Sequence, residues 1–131
     1  MSGRYEVRRK ILPNCLLTNA RSILRKTDEL GCVLRSNNIH VGCVTESWLD
    51  EEKLSAVVDI TGYVSYRRDR QDGRVGGGVV CYVREDLPCT RVTEFERQDI
   101  ESLWLMYRNS CMPRNVSHVL KNWYNISPAR C

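Results

Sequence analysis

Two polar side chains stand where apolar runs end. Asn19 follows the run 11–18, and Glu46 follows the run 39–45. If both runs are strands of one parallel pair, their carboxyl ends lie side by side, and ligands of open α/β sheets bind in the crevice beyond such ends. A carboxylate and an amide oxygen are hard donors, suited to a Mg²⁺ ion that keeps several of its waters. Local roles are equally open to the two residues: Asn19 can cap a turn and Glu46 the segment after it. The run Gly73-Arg-Val-Gly76-Gly77-Gly78 has neither the dinucleotide spacing nor a Walker loop's Lys-Ser/Thr before a helix. It leads into an apolar run, so it reads as a bend or bulge in a hairpin. Arg67, Arg68, Arg70 and Arg74 surround it. They could meet phosphates, or form a charged edge that deters strand-to-strand association.

The other reactive side chains carry less. Seven cysteines and two histidines occur, with no Cys-x-x-Cys, and His40 and His118 are far apart, so the usual zinc modules are excluded. An odd cysteine count without a secretory leader points to reduced thiols in a reducing compartment, several of them acting as small buried hydrophobes. Asn115-Val-Ser and Asn125-Ile-Ser fit glycosylation acceptors by coincidence on that reading.

The elements that must position Asn19 and Glu46 are legible in the periodicity. Ile23, Thr27, Leu30 and Leu34 recur at helical spacing, with Arg25, Asp28, Glu29 and Arg35 opposite them. That pattern predicts an amphipathic helix with one buried stripe. Ser22 is placed to cap its start, and Asn37-Asn38 suits the left-handed turn that ends it. Strand 11–18, this helix and strand 39–45 make a βαβ unit with parallel strands. A polar and partly helical stretch, 50–58, comes next. Short strands are then expected at 63–67, 78–84, 89–95, 102–107 and 116–124, the first two joined as an antiparallel hairpin through Asp69-Arg-Gln-Asp-Gly73.

The length of 131 residues allows one domain. A composition of 42% apolar and 27% charged residues argues against wholesale disorder. A net charge of +4 permits a polyanionic partner without demanding one. No apolar run is long enough to span a membrane. Residues 1–10 read as a flexible basic lead-in, and no apolar block follows them as in a secretory signal. The expected location is therefore intracellular, and nuclear if the substrate is chromosomal DNA.

Several stretches together resemble a known family. Leu17-Thr-Asn-Ala-Arg-Ser-Ile, Lys26-Thr-Asp-Glu-Leu30, Val44-Thr-Glu-Ser-Trp-Leu49 and Gly62-Tyr63 are similar to the start of an endonuclease/exonuclease/phosphatase (DNase I-like) domain. The hairpin from Arg67 to Val83 and the segment Ile100-Glu-Ser-Leu-Trp104 are similar to it as well. The version resembled is that of non-LTR retrotransposons, where the domain accompanies a reverse transcriptase. The resemblance runs from about Leu16 to Tyr107, with the motifs in family order.

The resemblance implies an α/β fold, a four-layer α/β/β/α sandwich, of which residues 11–131 would be the N-terminal portion. It implies Mg²⁺-dependent nicking of DNA, with Glu46 as metal ligand and Asn19 orienting metal and phosphate. Tyr124 takes the place of an active-site tyrosine, although only one proline of that motif aligns. The family's downstream Asp-x-Asn and Ser-Asp-His are absent, and His118 lies too early to substitute. The expectation is a truncated and catalytically incomplete endonuclease domain. The alternatives are a non-catalytic fragment that binds nucleic acid or protein, or a phosphatase-type member of the same superfamily.

Overall fold

The computed structural model of the chain describes residues 13–50, 52–53, 55–71 and 74–108, with the backbone of 118–121. The βαβ unit is present. Strand β1 (Cys15–Asn19) pairs in parallel with β2 (Val41–Thr45), and helix α1 (Thr27–Ser36) lies between them in the chain. Strands β3 (Tyr63–Arg68) and β4 (Val79–Arg84) form the expected antiparallel hairpin. β4 inserts between β2 and β3, giving a four-stranded sheet of order β1-β2-β4-β3. A second, antiparallel sheet has β6 (Trp104–Tyr107) between β5 (Cys89–Arg91) and β7 (His118–Lys121).

Burial explains the stacking. β4 reads Val-Val-Cys-Tyr-Val and is buried along all five of those residues, as a strand covered on both faces must be. Val80 and Tyr82 point to one side, where they meet Ile23 ahead of the helix and Leu30 and Leu34 on it, together with Val44, Val58 and Tyr63. Val79, Cys81 and Val83 point to the other side and pack on Leu103 and Leu105 of the second sheet. The described residues thus build a helix, a mixed sheet and a second sheet in that order. Buried Tyr82 finds a partner for its hydroxyl in the carbonyl of Val58, at 2.6 Å.

Several boundaries differ from the sequence reading. α1 starts at Thr27, and Ser22 does not cap it; Ser22 has φ 83°. The amides of Ser22 and Ile23 instead donate to the carbonyls of Glu46 and Ser47, at 2.8 and 3.1 Å. Both amides are thus committed to the strand-end segment, Ser22 takes a positive φ there, and the helix begins a turn later. Asn38 does adopt the left-handed conformation after the helix, at φ 52°. The stretch 50–58 yields only a 3-10 turn, Ser55–Val58. The strand expected at 89–95 ends at Arg91, and Thr93–Phe95 is a 3-10 turn. Cys81 is buried as expected, but Cys15 and Cys32 are exposed. The lead-in 1–10, Asp72, Gly73 and Tyr124 lie outside the described residues. Among those described, no helix is long and apolar enough to cross a membrane.

Candidate functional site

The parallel register sets Asn19 opposite Thr45, so Glu46 is the next residue beyond the end of the pair. The chain leaves both strands under strain. Arg21 and Ser22 follow β1 at φ 46° and 83°, and Glu46 and Trp48 follow β2 at φ 54° and 58°. Four of the five non-glycine residues with positive φ among those described lie at this one end of the sheet. Such conformations cost roughly 1–3 kcal/mol each and cluster where a site is being shaped. Ladder-like bonds hold them: Ala20 N–H donates to the Thr45 carbonyl at 2.9 Å, and Ser47 and Trp48 N–H donate to the carbonyls of Gly78 and Gly77.

The Glu46 carboxylate is fixed through one oxygen. Oε2 accepts from the Trp48 indole Nε1–H at 2.8 Å and from the Gly77 backbone N–H at 3.1 Å. Those two bonds hold the carboxyl below the ordinary glutamate value; burial opposes them slightly, and the charges of Arg70 and Arg21 assist. Oε1 has no hydrogen-bond donor among the described residues. Glu46 is half-buried, so this ionised oxygen is open to a cation or to water.

The glycine run does more than bend the chain. Gly76, Gly77 and Gly78 all have positive φ, of 92°, 71° and 86°. A side chain at Gly77 would begin 2.3 Å from the Arg70 guanidinium, and one at Gly78 would begin 2.4 Å from Ser47 Oγ. Only glycine can bring the turn this close to Glu46. Ser47 is itself fully buried, and its Oγ has no partner among the described residues. Sequence reasoning missed Trp48, the Gly77 amide and Glu101 as parts of this site. Only the β2–β4 ladder brings the glycines to face Glu46 and Trp48, so the sequence held no signal for them.

The structure gives each of three arginines a protein partner. Arg67 makes a two-pronged bond to Asp69, at 3.0 and 2.6 Å, and donates to the carbonyls of Lys53 and Asp50. It thereby anchors the loop that leaves the Glu46 segment. Arg68 pairs with Glu96, and Arg70 with Glu101. A cleft of about 360 Å³ beside the hairpin is rimmed by Arg68, Asp69, Arg70, Gln71, Asp99 and Glu101 among others. Its three carboxylates offset its two arginines, so it is no cationic trap.

With that geometry in place, the fold can be compared with solved structures. The AP endonuclease LMAP from Leishmania major matches with a TM-score of 0.60 at 19% identity, over 82% of this chain and 38% of that one. The endonuclease domain of TRAS1, a telomere-specific non-LTR retrotransposon, matches with a TM-score of 0.53 at 14% identity, over 82% of this chain and 42% of that one. The chain shares its mixed α/β fold with these two proteins. It spans well under half the length of either neighbour. No family model matches the chain, and no curated protein does.

As a metal site, the described part is thin. Glu46 is a hard donor that fits Mg²⁺, whereas Asn19 is exposed, lines a separate cleft with Leu16, Lys26 and Glu29, and makes no side-chain hydrogen bond to Glu46 among the described residues. No group of three His, Cys, Asp or Glu side chains able to share an ion occurs among the described residues.

Proposed function

We propose that the chain is the N-terminal portion of a DNase I-like endonuclease domain of the retrotransposon type, acting on phosphodiester bonds of DNA and catalytically incomplete by itself. The observation that carries this reading is Glu46. It is an ionised carboxylate with one oxygen locked and one open, at the strand ends where strained backbone collects. The fold shared with two endonucleases, over less than half the length of each, supports it. So do the motifs around Asn19 and Glu46.

In this reading Glu46 Oε1 and Asn19 hold Mg²⁺, which when bound supplies Lewis acidity toward a phosphate oxygen and acidifies a bound water. Glu46 stays deprotonated through its bonds to Trp48 and Gly77. Asn19 offers a neutral amide to metal or phosphate. Tyr124 belongs to the same proposal through the sequence resemblance alone. Arg67, Arg68, Arg70 and Arg74 are the candidate contacts to the DNA backbone. The first three already hold carboxylates and would share or exchange them on meeting a phosphate. The reverse transcriptase partner and a nuclear site of action follow from the same resemblance.

A non-catalytic piece that binds nucleic acid or protein is the second reading, favoured by the lack of a three-ligand cluster among the described residues. Plasmid nicking separates the two. The 131-residue chain should show no measurable nicking. Joined to the C-terminal half of a related retrotransposon endonuclease domain, it should nick in the presence of Mg²⁺, and Glu46→Gln should abolish that activity. A joined domain indifferent to Glu46→Gln would reduce Glu46 to a local cap. Nicking by the chain alone that survives the substitution would place the chemistry elsewhere.

A further inference from the structure

We propose that Glu101 is the positioning residue of the Glu46 site, acting through the glycine turn and Arg70. Glu101 lies just before β6, on the second sheet's side of the molecule, and reaches back across 23 residues to the turn. Its Oε1 accepts from the Gly78 backbone N–H, and its Oε2 accepts from Arg70 Nε at 3.1 Å. The neighbouring amide, Gly77 N–H, is the one aimed at Glu46 Oε2. One carboxylate therefore anchors the peptide unit next to the one that holds the other carboxylate.

The need for such an anchor follows from the turn itself. Three consecutive glycines at positive φ have no side chains to lock them, and glycine loses the most freedom on ordering. Rigidity must come from outside. The Trp48 N–H holds the carbonyl of the planar Gly77–Gly78 peptide on one side. A charge-assisted bond from Gly78 N–H to Glu101 holds the same unit on its other side, and so pins the residue whose own amide meets Glu46. The Arg70 guanidinium, held by the same carboxylate, fills the space that a Gly77 side chain would take, and so closes over the turn. Glu101 is a quarter exposed, so its role does not depend on a packed core around it.

The proposal rests on the reading of Glu46 as the working carboxylate, but its test does not need a metal. In the whole chain at fixed neutral pH, the Trp48 indole and Gly77 amide protons should both be shifted downfield by their bonds to Glu46, and Glu46→Gln should reduce both of these responses. The charged groups facing Glu46 are Arg21 after β1 and Arg70 on the hairpin connection. In Glu101→Gln the Gly77 response should fall by at least about half, because hydrogen bonds weaken steeply with misalignment. The Trp48 response should persist. Arg70→Gln, at a partly exposed side chain, should reduce the Gly77 response more mildly, and it decides the matter if Glu101→Gln does not fold. An undiminished Gly77 response would overturn the proposal, as would an equal loss of both responses, which signals general loosening. Paired downfield shifts in the wild type that added Mg²⁺ leaves unmoved would refute the metal reading and leave the role of Glu101 standing.

Discussion

At the scale of single residues, the site is one carboxylate oxygen held and one left open. The Trp48 indole contributes most to keeping Glu46 ionised, ahead of the Gly77 amide. Trp48→Phe keeps the ring and removes the donor, so the Glu46 midpoint should move up toward the ordinary carboxylate range. A carboxyl ¹³C titration measures this, and an unmoved midpoint would transfer the effect to Gly77 and the arginines. Asn19 and Glu46 could be singled out from sequence because they interrupt apolar runs. The donors to Glu46 could not, since a tryptophan in a loop and a glycine amide carry no chemical signature until the chain brings them within 3 Å or so.

At the scale of elements, α1 is a stripe on a sheet. Leu34 is fully buried, and its methyl carbon would lie 2.8 Å from a side chain added at Gly42 of β2. The helix sits on that gap in the strand, which fixes β2 and hence Glu46 at its end. Leu34→Ala should cost about 2–5 kcal/mol, the range for a large aliphatic cut from a packed core. Chemical denaturation checks it, and a loss under about 1 kcal/mol would mean the helix is not seated as described. Leu30 and Leu34 were visible in the sequence because their spacing is set by the helix itself, and Ile23, although it precedes the helix, joins the same core. The start of the helix was not. Ser22 has the chemistry of a cap, yet its amide goes to Glu46 of a strand end that only the fold brings near. The hairpin was legible from its turn residues, whereas the shortness of β5 was not, because Thr93–Phe95 keeps the residue types of a strand.

At the scale of the whole molecule, one ionic junction ties the two sheets together. Glu96 is 6% exposed and bonds Arg91 of the second sheet at 2.9 Å and Arg68 of the first at 3.2 Å. Burial pushes its carboxyl up, but the bond and charge of Arg91, the Trp104 N–H and Arg68 outweigh that and leave it below the ordinary value of 4.5. A carboxylate depressed in the folded state adds stability above its unfolded value and loses it as pH falls through the folded value. Stability should therefore drop on acidification below about pH 4.5. Glu96→Gln should flatten that drop and cost about 2–3 kcal/mol at neutral pH, less than a fully buried pair because the arginines are partly exposed. A pH series of thermal melts reads both. Sequence alone could not place this junction, since it offered Arg68 only as a phosphate contact or a charged edge and held no sign that Arg91 and Glu96 would meet it.

The central proposal is that Glu46 Oε1, one residue beyond the Asn19–Thr45 pair that ends the parallel strands, receives a divalent cation. Mn²⁺, a paramagnetic stand-in for Mg²⁺, tests it most directly in the intact chain. The account predicts that substoichiometric Mn²⁺ broadens the Asn19 side-chain amide, Trp48 indole and Gly77 amide resonances first, that excess Mg²⁺ reverses this, and that Glu46→Gln abolishes it with the rest of the spectrum unchanged. Broadening that is absent from these three resonances, or that persists in Glu46→Gln, would contradict it.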